Sequence, residues 1–110
     1  MKTLVYIAGP YTKGDVAINV HRMIKCCSEL AEKGYGVYCP LLTHFWHLID
    51  PHPYEFWLEV DNAILPRCDC LLRIPGESSG ADKEIEQMKK LGKLVYLSMA
   101  DLFDKESVER

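Results

Sequence analysis

The sequence predicts an α/β domain, a three-layer sandwich around a parallel sheet of four or five strands, flavodoxin- or Rossmann-like, in the order 2-1-3-4. Three observations predict it. Short apolar runs rich in β-branched and aromatic residues alternate with longer stretches of helical periodicity, giving βαβαβαβ, the pattern of a parallel sheet covered by helices. The first run, TLVYIA, is apolar and β-rich, as a buried strand is. Gly or Pro punctuates the segments, and right-handed crossovers then leave few topologies besides 2-1-3-4.

The elements follow in order. Residues 3–8 (TLVYIA) read as a buried strand ended by Gly9-Pro10. Asp15 opens a helix with Val16, Val20, Met23, Ile24, Cys27, Leu30 and Ala31 inward, closed by Gly34. Residues 35–40 (YGVYCP) form a second strand, and 41–53 (LLTHFWHLIDPHP) a long loop rich in His and aromatics. Residues 54–65 read as a helix stopped before Pro66. A third strand (68–74, CDCLLRI), a helix over 79–91 closed by Gly92, and a fourth strand (93–98, KLVYLS) complete the sheet, and a short amphipathic helix follows from Ala100. No repeat or linker interrupts the chain, so one domain covers 1–110.

Composition narrows the function. A chain of 110 residues, 48% hydrophobic and 26% charged, can bury one real core. Net charge is −3 with no basic stripe, which argues against a nucleic-acid polymer or a membrane as partner. A single nucleotide needs only a local anion site and stays open. Five cysteines at scattered spacing suggest reduced thiols in a cytoplasmic protein. The start, MKTLVYIAGP, is too brief for a signal peptide or a membrane span.

In such sheets ligands lie beyond the carboxyl ends of the strands, where the strand order reverses. Here that means GPYTKG at 9–14 and PGESSG at 75–80. Glu84 overhangs the second of these. It falls on the stripe of Met88 and Leu91, beside the inward Ala81 and Ile85, while Lys83, Glu86, Gln87 and Lys90 face outward. Asp61 repeats the anomaly, with Trp57 one turn before it and Ile64 and Leu65 just after. A carboxylate among large apolar groups is costly unless paired or functional. An edge position, or pairing with Arg67 or Arg73, explains Asp61 without function, and on the residues alone that bland reading leads. Tyr6, in mid-strand, is by itself a core tyrosine. The turn Gly76-x-Ser78-Ser79-Gly80 offers backbone N–H groups and two hydroxyls to an anion, and equally reads as a helix cap with Ser79 at the N-cap and Asp82 completing a capping box. His44-x-x-His47 with Cys39 or with Cys68-x-Cys70 matches no zinc spacing, so no metal is expected, and Cys26-Cys27 reads as packing. A flavin or phosphoacceptor domain lacks support, since Gly9-Pro10 stands where a phosphoacceptor carries acidic residues.

Tyr6 in VYIAGP, Asp61 in VDNAILPRCDCLL and the Ser78-x-Gly80-x-x-x-Glu84 helix start together resemble the nucleoside 2-deoxyribosyltransferase superfamily. The resemblance runs from Lys2 to Leu97. It extends to 2'-deoxynucleoside 5'-monophosphate N-glycosidases and is nearest to small uncharacterised bacterial and phage relatives that share the AGP start and the S-x-G-A helix start. It implies that Glu84 is the nucleophile at the anomeric carbon, Tyr6 positions it, and Asp61 helps protonate the leaving base. It implies that Ser78, an Asp in the typical transferases, helps hold a 5'-phosphate, which tilts the reading toward nucleotides. Hydrolysis and transfer both stay open, because the typical transferases carry a further C-terminal segment and this sequence ends soon after strand 4.

The chemistry agrees with the resemblance. An oxocarbenium-like transition state needs a carboxylate near the anomeric carbon and an acid near the base. The helix start is expected to favour ionised Glu84. Gly9, Pro10, Lys13, Gly76, Ser78, Ser79 and Gly80 are expected to bind substrate, with Phe45 and Trp46 stacking on the base. No cofactor is expected. A homodimer or larger homo-oligomer is expected, as in the family, through apolar Leu102, Phe103 and Val108 of the 99–110 tail. The rival reading is a non-catalytic nucleotide-binding or sensing module on the same fold.

Overall fold

A computed structural model describes residues 2–106. The elements run β1 (Leu4–Ala8), α1 (Val16–Glu32), β2 (Gly36–Tyr38), a 3-10 turn (Pro40–Leu42), α2 (Thr43–Ile49), α3 (Tyr54–Ile64), a second 3-10 turn (Leu65–Arg67), β3 (Cys70–Arg73), α4 (Ser79–Lys90), β4 (Leu94–Tyr96) and α5 (Met99–Lys105). The sheet has four parallel strands in the order β2-β1-β3-β4, as the sequence predicts.

Alternation along the strands sorts the core into two layers. Val5, Ile7, Cys70 and Leu72 point to one face and pack with Val20, Met23 and Leu30 of α1 and Leu102 of α5. Tyr6, Ala8 and Leu71 point to the other and pack with Leu65, Cys68 and with Ala81 and Met88 of α4. Burying side chains such as Ile7 or Leu71 completely stabilises by about 2–3 kcal/mol each, so the central strands β1 and β3 carry the sheet. No described helix is long and apolar enough to cross a membrane.

Several expectations need correction. The 41–53 stretch is a loop only at 50–53; a 3-10 turn and a helix cover it as far as Ile49. Pro40 starts the turn at a position that needs no N–H, and a seven-residue helix of His and aromatics is too short to display a helical period. The cap of α4 is Ser78 rather than Ser79, with Ser78 Oγ accepting from Ala81 N at 3.1 Å, and Ala81 at that third position rules out a capping box. Ala31, expected inside, is exposed near the C-terminus of α1, and Leu91, expected on the inner stripe of α4, is exposed as the C-cap of that helix. In the tail, Leu102 is fully buried and Phe103 packs on Tyr35, so both belong to the core instead of a free apolar face. Val108 lies outside the described residues.

Candidate active site

Tyr6 lies at the centre of β1, in register with Tyr38 of β2 on one side and Leu71 of β3 on the other. Its ring is buried, and its hydroxyl donates to Glu84 Oε2 from the second turn of α4. The Tyr38 ring lies beside it, centroid to centroid 5.5 Å, and the Tyr38 hydroxyl donates to Asp61 Oδ1 at 3.0 Å. Two strands thus present two phenols to the same face of the sheet, and two helices lower one carboxylate onto each. The structure brings Tyr6, Asp61 and Glu84 together as the sequence predicts. It also adds Tyr38, which sequence reasoning missed. The only available signal was that Tyr6 and Tyr38 occupy matching places in adjacent parallel strands.

Neither arginine pairs with Asp61. The Arg67 guanidinium turns back to the Ala63 carbonyl, and Arg73 bonds Ile74 O, Gly76 O (2.9 Å) and Asp82 Oδ1 (3.1 Å). Among the described residues the Asp61 carboxylate is therefore compensated by the Tyr38 hydroxyl alone. Burial pushes the Asp61 carboxyl up to about 6, and the Tyr38 hydrogen bond pulls it back only in part. Burial also pushes Glu84 up to about 7; the Tyr6 hydrogen bond opposes this, the Asp61 charge adds to it, and the Arg73 charge opposes it. Burial therefore works against the ionised Glu84 expected at the helix start, and the Tyr6 hydrogen bond and Arg73 charge offset it only in part. Both tyrosines are raised well above the usual phenol range, chiefly by burial and then by the neighbouring carboxylates, so they remain donors.

The two loops expected to bind substrate meet at the carboxyl edge. Gly76 has φ 128°, and a Cβ there would come within 2.6 Å of Pro10 Cγ, so only glycine lets the loops touch. A Cβ on Gly9 would lie 3.0 Å from Ile74 Cβ. Asn19 Nδ2, a buried polar group missed in the sequence, holds the first loop through Tyr11 O (3.0 Å) and Lys13 O (2.8 Å). Arg22 Nη1 reaches Pro75 O at 3.2 Å from the far side. Lys13 and Ser79 are exposed at this rim, and Ser78 and Gly80 are half-buried. The Ser78 hydroxyl accepts as a cap and keeps its own proton to donate.

Phe45 and Trp46 lie on α2, outside the two hydroxyl–carboxylate pairs. Phe45 packs edge-on to His44, whose Nδ1 meets the Tyr11 hydroxyl at 2.8 Å. Trp46 packs edge-on to Trp57 at 4.8 Å and lines a cleft of about 620 Å³ at the β2 edge, together with Ile24, Val37, Tyr38, Val60 and Ile64. His47 Nδ1 accepts from Trp57 Nε1 (3.0 Å) and from the His52 backbone N–H (3.2 Å), so the His44-x-x-His47 pair is occupied with aromatic packing. No group of three His, Cys, Asp or Glu side chains among the described residues is arranged to hold a metal.

A comparison with curated proteins found no match. A family model matches residues 3–97, which span all four strands and both carboxylate-bearing helices, and the chain therefore belongs to the family described as Domain of unknown function (DUF7768).

Proposed function

We propose that this protein cleaves the N-glycosidic bond of a nucleoside or nucleoside 5'-monophosphate through a glycosyl ester on Glu84, with water or a second base completing the reaction. One observation carries the reading: two half-buried carboxylates from different helices face one sheet surface, each accepting a hydrogen bond from its own strand tyrosine. A purely structural carboxylate is not normally left at an apolar site with so little countercharge.

In the first step Glu84 Oε1 bonds to the anomeric carbon as its bond to the base nitrogen breaks. The electron pair leaves with the base, and a proton from Asp61 neutralises it. In the second step Asp61, now ionised, takes a proton from water; the oxygen attacks the anomeric carbon and Glu84 is released as carboxylate. A second base in place of water gives transfer. Tyr6 holds Oε2, which leaves Oε1 to attack. The Ser78 hydroxyl and the backbone N–H groups of the α4 start, with Lys13 at the rim, suit a 5'-phosphate. The protein is proposed to act in the cytoplasm as a homo-oligomer.

Incubation with a panel of nucleosides and 5'-monophosphates, followed by chromatography for free base, tests the reading. Base release by wild type that is absent in Glu84→Gln is expected. Tight binding of a nucleotide with no release of base from any substrate would favour the sensing module instead.

A further inference from the structure

We infer that Tyr38 is a positioning residue for the acid of this site: its hydroxyl occupies Asp61 Oδ1, so that the proton delivered to the departing base is carried on Oδ2. The inference rests on the N-glycosidase reading above. The Tyr38 hydroxyl donates to Oδ1 at 3.0 Å, and this is its only hydrogen bond among the described residues. Were Asp61 to place its proton on Oδ1 and donate to Tyr38, the phenol proton would lose its acceptor, at a cost that an apolar setting makes large. The proton on a neutral Asp61 therefore belongs on Oδ2.

The ring is fixed from several sides, so the hydroxyl is not free to swing away. Tyr38 is the last residue of β2, in register with Tyr6, and its ring lies against that of Tyr6. The titratable groups facing Asp61 are Tyr38 from β2, Tyr6 from β1 and Glu84 from α4. Of these three, only Tyr38 hydrogen-bonds the Asp61 carboxyl. The arrangement mirrors Tyr6 on Glu84: each phenol takes one oxygen and leaves the other for chemistry. After the proton on Oδ2 passes to the base nitrogen, the new carboxylate keeps Tyr38 as donor, which stabilises it as negative charge returns.

Tyr38→Phe tests this with two readouts. The first is the carboxyl ¹³C titration of Asp61 in aspartate-labelled protein, assigned by comparison with Asp61→Asn. Loss of the donor should move its midpoint upward, since the hydrogen bond favours the ionised form. The second is turnover of two substrates that differ in leaving group. An ordinary purine nucleotide, whose base must be protonated, should lose about tenfold in kcat. An N7-methylated purine nucleotide, whose base leaves neutral without a proton, should lose less than about twofold. A merely structural Tyr38 would depress both substrates alike. Tyr38→Leu, which also removes the hydroxyl, serves where the Phe variant fails to fold by thermal melting.

An unmoved Asp61 titration overturns the inference, as do equal losses on both substrates. Absence of turnover by wild type on any substrate defeats the N-glycosidase reading and the acid role with it. The carboxyl titration then still decides whether Tyr38 holds Asp61.

Discussion

Tyr6 and Tyr38 are neighbours in register on β1 and β2, with ring centroids 5.5 Å apart, yet they give their hydroxyls to carboxylates on different helices. That relationship sets the whole site. The parallel pairing of the two strands fixes the spacing of the phenols, and the phenols fix where Glu84 and Asp61 come to rest. Because the strands belong to the buried sheet, the carboxylates inherit its rigidity and its low polarity. The low polarity raises their affinity for protons, and the rigidity keeps them near each other.

Glu84→Gln should abolish catalysis and stabilise the fold. The folded-state value of Glu84, about 7, lies above that of an unfolded glutamate near 4.5. Its contribution is thus fully favourable below about pH 4.5 and is lost as pH rises through 7. An amide escapes the penalty of ionising in a buried place and still accepts from Tyr6. The variant should gain on the order of 2–3 kcal/mol at pH 8 and almost nothing at pH 4.5. Chemical denaturation at both pH values checks the sign, and a variant less stable at pH 8 than wild type would refute it. Turnover should fall about a thousandfold or more, because an amide cannot form the glycosyl ester.

The pH profile should be a narrow bell. In the proposed mechanism attack requires Glu84 ionised and Asp61 protonated, yet burial raises Glu84 to about 7 and Asp61 only to about 6. Among singly protonated molecules the proton then rests on Glu84 more often than on Asp61, and the minority form is the reactive one. Rate should rise through the lower titration, peak near pH 6.5 and fall through the upper one, the two midpoints belonging to the pair. Asp61→Asn should flatten the alkaline limb along with a large loss of rate. A wild-type rate constant from pH 5 to pH 8 would contradict the assignment.

The sheet was legible because its signals are local. β1 and β3 are apolar runs between Gly-Pro or Pro-Gly turns and helical periods, and a parallel order follows from their alternation with helices. Glu84 and Asp61 were legible as misfits, charges on otherwise apolar stripes. Tyr38 was not, since a tyrosine in an edge strand breaks no rule, and its value lies in a cross-strand register that no single segment encodes. The α2 helix was hidden for a different reason. Seven residues held by ring contacts with α3 owe their shape to packing that lies outside the segment.

Self-association, if it closes the site, should use the α2–α3 side instead of the tail. Leu102 is spent in the core, whereas Leu42, Phe45, Trp46, Leu48 and Ile49 are each 45% exposed or more, with Ile49 at 86%. So many large apolar groups on one side exceed what a monomer usually shows water. The β2 edge beside them has no strand partner among the described residues. Light scattering should give at least twice the chain mass of 12.6 kDa, and Leu48→Glu with Ile49→Lys should return it to the monomer. A wild-type monomer at micromolar concentration would end this expectation.

Ser78→Asp should reverse the proposed preference for monophosphates without harming the fold. Ser78 Oγ caps α4 by accepting from Ala81 N, and aspartate caps a helix as well as serine does. Stability should therefore change by less than about 1 kcal/mol. At the rim, however, a second negative charge would face any 5'-phosphate held by the same helix start. The nearest arginines offer little relief, because Arg73 is engaged with Gly76 O and Asp82 and Arg22 with Pro75 O. An uncompensated repulsion at a helix start should weaken monophosphate kcat/KM by roughly ten- to a hundredfold, while a nucleoside, with no charge there, is spared or favoured. Ser78→Ala separates the two roles: it should cost about 1 kcal/mol of stability through the lost cap and lower monophosphate turnover without inverting the preference. Steady-state kinetics on a matched nucleoside and monophosphate, for wild type and both variants, measures all of this. Equal selectivity in wild type and Ser78→Asp would remove Ser78 from the phosphate site and leave it only as the cap of α4.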